Sequence, residues 1–500
     1  MYDVPHFVGG ERYRGQPERH GDVFNPTTGE VIGRVGFAEK ADMDHAVRVA
    51  QAAHLTWAEV NPQRRARVMF EYKRLLTART EELARAFSLE HGKTLADARG
   101  EFARGHDVLE FACGIPHLIK GEFTEGAGPG IDMYSMRLPL GVVAGITPFN
   151  FPAMTSMWMW SIAIACGNAV IMKPSEKVPT IMNKLAELFL EAGGPPGILN
   201  IVHGDKSAVD AILEHPLVRA VSFIGSSDVA QYVYAKGAAF GKRVQAMGSA
   251  KNHGVVMPDA DLDQVAHEML GAAYGSAGER CMALPVVMPV GKKAADGLRA
   301  RLEKGVETVR VGLPDDDQAQ FGAVISKAHF ERVKNYIQMG VDEGAELVVD
   351  GRKFALQGYE NGYLMGPSLF DHVKPEMRSY KEEIFGPVLQ IVRADTYEDA
   401  LRLVSDHQFG NGVAIFTRNG RTARDFAKRV NVGMVGINVP LPVPLAYHSF
   451  GGWKRSGYGD HNQHGMEGVR FYTKVKTVTQ RWPADAEEGG KDAGFVLPTM

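Results

Sequence analysis

Five hundred residues, 45% hydrophobic and 23% charged, have an ordinary globular composition but exceed what one hydrophobic core serves, so two or three domains are expected. Lys and Arg number 56 against 59 Asp and Glu, a net charge of -3 without a basic stripe, which argues against a nucleic-acid binder. Three cysteines (Cys113, Cys166, Cys281) cannot staple so long a chain, and MYDVPHFVGGERYRG has no apolar signal core, so a reducing, cytoplasmic setting for a bacterial-type chain without a targeting segment is expected.

Helical periodicity dominates the first 120 residues, in DHAVRVAQAAHLTWAEV, PQRRARVMFEYKRLLTA and LADARGEFARGHDVLEFACG. KGEFTEGAGPGIDMYSMRLPL then reads as two extended segments around a Gly-Pro turn, a protruding hairpin that needs another subunit to cover it. From Leu138 to Met172 no Asp, Glu, Lys, Arg or His occurs. That run is long enough for a bilayer, but Pro139, Pro148, Pro152, Asn150 and Asn168 do not suit a membrane helix. A buried strand, a turn, a core helix and a second strand are expected instead.

GVVAGIT, AVIMKPS, ILNIVHG and AVSFIGS are short apolar strands, each followed by a helix candidate. This alternation predicts a parallel, doubly wound sheet with its ligand at the carboxyl ends of the strands. A second series starts near Lys251 with HGVVMPD and continues through ALPVVMPV, AELVVDG, GPVLQIVRA, VAIFTRN and MVGINV. The tail after VKTVTQRWP is rich in Ala, Asp, Glu and Gly and reads as loose.

Cys281, in GSAGERCMALP, lies between a helix and a strand. Locally it reads as a packing residue more readily than as a nucleophile. Asn150, between two prolines in TPFNFPAM, suits either an oxyanion donor or a self-bonded turn. Lys173 and Glu176 in KPSE suit ribose and phosphate, or form a surface pair. Gly225 and Ser226 end a strand and open a helix, a seat for phosphate. No G-x-G-x-x-G follows a strand, and GAGPG at Gly126 falls in the hairpin. HNQH at His461–His464 has a spacing found in some metal sites but no strong third ligand, so no metal is expected.

TPFNFP, KPSE, FIGS, GERC and EEIFGPV, in this order and spacing, resemble the aldehyde dehydrogenase superfamily from end to end. The resemblance implies an α/β fold with a Rossmann-type NAD-binding domain (1–119 and 139–249) and a second α/β, catalytic domain (250–465). It also implies a small β oligomerisation arm (120–138 and 466–482), with 483–500 left as the tail. Cys281 would be the nucleophile and Asn150 an oxyanion donor. NAD would contact Thr147, Phe149, Lys173, Glu176, Lys177, Gly225, Ser226, Gly248, Glu383 and Phe385, and the chain would form a homo-oligomer, a tetramer built as a dimer of dimers.

One departure sets the subfamily. Where the family carries E-L-G-G-K, this chain has MGSAK, with Met247 at the position of the glutamate that activates water. Methionine is no proton acceptor, so either the enzyme is dead or water is not the acyl acceptor. MGSAKNH, GERCMA and the C-terminal GWKRSGYGDHNQHGMEGVRFYTKVKTVTQRWP are similar to the CoA-acylating methylmalonate-semialdehyde dehydrogenases, apart from Ser249, where glycine is more usual. That similarity implies coenzyme A as co-substrate and a small semialdehyde bearing a carboxylate, held by Arg104 and Arg280. Locally, Arg104 has Glu101 at i−3 and Arg280 has Glu279 beside it as alternative partners. The competing expectation is a hydrolytic NAD(P)-dependent aldehyde dehydrogenase. Neither a nucleic acid nor a membrane is expected as a partner.

Overall fold

The structure, a computed structural model, describes residues 1–15 and 17–482; the tail expected at 483–500 lies outside the described residues. The charge-free run forms the centre of the larger core. It supplies the strand Val142–Ile146, a turn, the helix Pro152–Ala165 and the strand Ala169–Lys173. Every residue of that helix is buried, which is why it has no polar face. Among the described residues no helix is long and apolar enough to cross a membrane.

These strands belong to an eight-stranded sheet. From Val142–Ile146 the chain moves outward through Ala169–Lys173 to Leu199–Ile201. It then returns to Val218–Ile224 on the other flank of the first strand and ends at Arg243–Met247. All five pair in parallel. The reversal leaves a crevice at the carboxyl ends of Val142–Ile146 and Val218–Ile224, where doubly wound sheets receive ligands.

A second sheet has seven strands, ordered Glu346–Val349, Ser368–Asp371, Val388–Ile391, Val286–Pro289, His253–Val256, Gly412–Phe416 and Met434–Ile437. Only Glu346–Val349 runs antiparallel to its neighbour. The hairpin forms as expected, with Phe123–Gly128 against Ile131–Pro139, and Thr473–Arg481 pairs along the full length of the latter strand. Phe123 and Val475 on this arm are exposed.

Three expectations need correction. The first 36 residues are not helical: they hold Tyr2–Val4, His6–Val8, Glu11–Tyr13, His20–Asn25 and Glu30–Gly36, mostly strands too short to register a period of two. The second-sheet unit does not extend to 465. Its last strand ends at Ile437, after which Phe450, Val469, Phe471 and Tyr472 are buried in the first core, and Gly457–Tyr458 adds an antiparallel edge to Arg243–Met247. The arm does not begin at 466, because Gly465–Phe471 is a helix packed in the first core and the strand starts at Thr473. Arg243 pins this exit by donating from Nη1 to the carbonyls of Arg470, Phe471 and Thr473.

Candidate active site

The crevice at the reversal is a cavity of about 670 Å³. Thr147, Phe149, Lys173, Glu176, Lys177, Gly225 and Ser226 all line it, joined by Asp205, Lys206 and Tyr232, which sequence reasoning did not single out. Lys173 is buried and donates to the carbonyls of Pro174 (2.9 Å) and Gly204 (2.6 Å), with Glu176 at 3.9 Å. Burial lowers its pKa. Ser226 opens the helix Ser227–Ala239 without a side-chain capping bond, so its hydroxyl is not committed to the helix. The Lys177 ammonium lies 4.8 Å over the Phe149 ring.

Gly248, Glu383 and Phe385 lie outside that lining and are half-buried. The Gly248 N–H donates to the Ser456 carbonyl, and the Ala250 N–H donates to Glu383 Oε1 at 2.8 Å. Phe385 adopts a left-handed φ of 61°, with its carbonyl accepting from His329 Nε2 at 2.6 Å. Its ring meets Phe149 edge-on at 5.9 Å, joining this group to the crevice wall.

Cys281 follows an unusual turn. Ser276, Ala277 and Gly278 have φ of 51°, 54° and 72°, three left-handed residues in succession. Gly278 admits no side chain, because a Cβ there would lie 2.1 Å from the Gly386 carbonyl oxygen. The Cys281 carbonyl accepts from both Asn252 Nδ2 and Asn411 Nδ2 at 2.9 Å. The thiol is half-buried, and burial, then the negative charge of Glu383, pushes it up to about 12. Both influences favour the thiol over the thiolate.

The Asn150 amide donates to the Glu279 carbonyl at 2.9 Å, leaving its second N–H unassigned within two residues of Cys281. Its turn is clamped from below. Lys93 and Glu101 form a fully buried ion pair at 2.9 Å. Lys93 also donates to the Asn150 carbonyl at 2.8 Å, while Glu101 Oε1 accepts the N–H groups of Ala153 and Met154 at the start of the buried helix.

A second cavity, of about 220 Å³, brings Cys281, Arg280 and Arg104 together with Asp97, Glu101, Phe151, Met154, Trp158, Leu441, Val443 and Phe450. Asp97, Glu101 and Arg104 stand at i, i+4 and i+7 on the helix Leu95–Cys113, so one face points at the cavity. Neither local alternative for the arginines holds. Arg104 pairs with Asp107 and donates to the carbonyls of Val443 and Pro444, since Glu101 belongs to Lys93. Arg280 pairs with Asp97 at 2.7 Å, since Glu279 turns away to accept the Ile325 N–H and is pushed up to about 8 by burial. Lys93, Glu101 and Asp97 were missed as site residues, because Leu95–Cys113 also carries Arg99, Asp107 and Glu110 and its charge pattern does not set the inward ones apart.

His461 pairs with Glu467 at 3.1 Å, whereas His464 is buried with its ring 4.5 Å from Trp158, so HNQH converges on no common point. Among the described residues only Glu346, Asp371 and His372 group as metal ligands do, and Asp371 is already held by Arg393 at 2.6 and 3.0 Å. Cys113 and Cys166 are buried, with burial raising both thiols.

The aldehyde dehydrogenase family model matches residues 13–478. The chain is 51% identical to a malonate-semialdehyde dehydrogenase of Pseudomonas aeruginosa, with 100% of each chain covered. It is 45% identical to the human mitochondrial acylating methylmalonate-semialdehyde/malonate-semialdehyde dehydrogenase, covering 99% of this chain and 92% of that one. A crystal structure from Sinorhizobium meliloti 1021 in complex with NAD superposes with a TM-score of 0.96 at 57% identity, covering 97% of this chain and 99% of that one.

Proposed function

The chain belongs to the aldehyde dehydrogenase family, and we propose that it oxidises malonate or methylmalonate semialdehyde through a thioester on Cys281 and hands the acyl group to coenzyme A. The observation that carries this reading is the meeting of Cys281, Arg104 and Arg280 on one small cavity, in a chain with Met247 where a water-activating glutamate would stand.

The crevice fits NAD in size, in its paired cation and carboxylate at Lys173 and Glu176, and in its aromatic wall at Phe149. In this reading Lys173, Glu176 and Ser226 hold the dinucleotide, with Thr147, Lys177, Gly225 and Gly248 shaping its bed and Glu383 and Phe385 at its reactive end. When bound, NAD supplies the acceptor for the hydride that leaves the aldehyde carbon. The Cys281 thiolate adds to that carbon, and the free Asn150 N–H stabilises the oxyanion. Arg104 and Arg280 hold the substrate carboxylate through charge-assisted bonds. Collapse of the oxyanion leaves a thioester, whose carbonyl takes up the electron pair released when the β-carboxylate departs as carbon dioxide. The coenzyme A thiol then takes the acyl group, being a better nucleophile than water and needing less help from a base. The products are acetyl-CoA or propionyl-CoA.

The exposed arm supports a homo-oligomer, a tetramer in this reading, and the free thiol suits a cytoplasmic location. The decisive assay is NADH formation from malonate semialdehyde with and without coenzyme A. Sustained turnover requires coenzyme A, and Cys281→Ala forms no NADH. Continued turnover to a free acid without coenzyme A would instead make the enzyme hydrolytic.

A further inference from the structure

We propose that Asp97 is a positioning residue: it presets Arg280 for the substrate carboxylate and couples that grip to the turn that delivers Cys281. The inference rests on the semialdehyde reading above. Asp97 lies in the first turn of Leu95–Cys113 and uses its two oxygens in different directions. Oδ1 accepts from Arg280 Nη2 at 2.7 Å, and Oδ2 accepts the Ser276 N–H at 3.1 Å. Arg280 Nε in turn donates to Ser276 Oγ at 3.3 Å. Asp97, Ser276 and Arg280 thus close a ring of three bonds around the first residue of the left-handed turn.

The guanidinium is also held flat. A Cβ on Gly275 would lie 2.5 Å from Arg280 Nη1 and 2.6 Å from its Cζ, so the planar group rests on a position that only glycine leaves open. With Nε and one Nη2 hydrogen engaged, the remaining N–H groups are free for a ligand, and Arg280 and Asp97 both line the cavity that contains Cys281. Their side chains are 23% and 14% exposed, and the other carboxylate oxygen accepts a backbone N–H, unlike a solvated surface pair. An arginine freed from Asp97 would sample several rotamers, and the cost of ordering it would fall on substrate binding. The turn would lose its side-chain acceptor as well.

Asp97→Asn tests this, because the amide oxygen can still accept the Ser276 N–H while the charge that holds Arg280 is gone. Steady-state kinetics are compared on malonate semialdehyde and on propanal, which lacks the carboxylate. The expected result is a KM for malonate semialdehyde raised about five- to tenfold, with that for propanal moved by less than about twofold. In an Arg280→Leu background the same change has no further effect on the ratio. Equal losses on both aldehydes would reduce Asp97 to a support for the turn and overturn the proposal, as would an unchanged KM ratio. If Asp97→Asn does not fold, Ser276→Ala removes the Arg280 Nε acceptor and is read by the same criterion. An unmodified enzyme with no preference for malonate semialdehyde over propanal would overturn the semialdehyde reading itself. A preference that survives Asp97→Asn undiminished overturns only the role of Asp97.

Discussion

At Cys281 two influences act in the same direction, since burial and Glu383 both raise the thiol to about 12. Below that value the thiolate fraction grows tenfold with each pH unit, so alkylation by iodoacetamide is expected to accelerate steadily from pH 7 to 9. Glu383→Gln removes the negative charge and lowers the thiol pKa, so this variant is expected to be alkylated faster than the parent at every pH in that range. An equal or slower rate would mean that Glu383 does not face the sulfur. Glu279 shifts in the same direction, also through burial. Its carboxyl, up at about 8 through burial, binds a proton in the folded chain that the unfolded chain has lost, so this group's contribution to stability declines between about pH 4.5 and 8. Cys281 and Asn150 could be singled out because they stand in dense, ordered motifs. Asp97 could not, because its partner Arg280 is 183 residues away and no local pattern announces the pair.

The helix Leu95–Cys113 does more than cover the sheet. Through Asp97, Glu101 and Arg104 it holds the cysteine turn, the Asn150 turn and the 443–444 backbone. Glu101 is itself held by Lys93 in a fully buried pair. Lys93→Met would leave the Glu101 carboxylate buried without its cation, at a cost of about 3–5 kcal/mol in unfolding free energy by urea titration. Burial already raises the Glu101 pKa and Lys93 holds it back. In the variant, acid should therefore restore part of the loss by protonating Glu101, making the deficit smaller at pH 5 than at pH 8. An equal deficit at both would place the damage elsewhere. Helical periodicity revealed that this element is a helix. The inward direction of its charges depends on what packs against it, which a periodic pattern does not contain.

For the whole molecule, the alternating strands and helices made both α/β sheets legible, and the hairpin arm as well. What the sequence pattern hid was the return of the chain. After Ile437 it crosses back, lays Gly457–Tyr458 along Arg243–Met247 and buries Phe471 and Tyr472 in the first core. A two-residue strand and a seven-residue helix are too short to declare their partners. Hydrogen exchange in mild denaturant should show amides of 457–472 opening together with those of 142–173. Opening in step with 286–437 would contradict that assignment.

This route makes the second-sheet unit an insertion, entered near Lys251 and left after Ile437. Cys281 and Arg280 travel with the insert, whereas Asn150, Arg104, Asp97 and the Trp158 and Phe450 walls stay with the host. Exchanging the insert between relatives at two junctions would therefore transplant Cys281 and Arg280 without Asn150, Arg104 or the Trp158 and Phe450 walls. In the proposed reading the nucleophile and one of the two carboxylate arginines would come from one parent, and the other arginine and the cavity walls from the other.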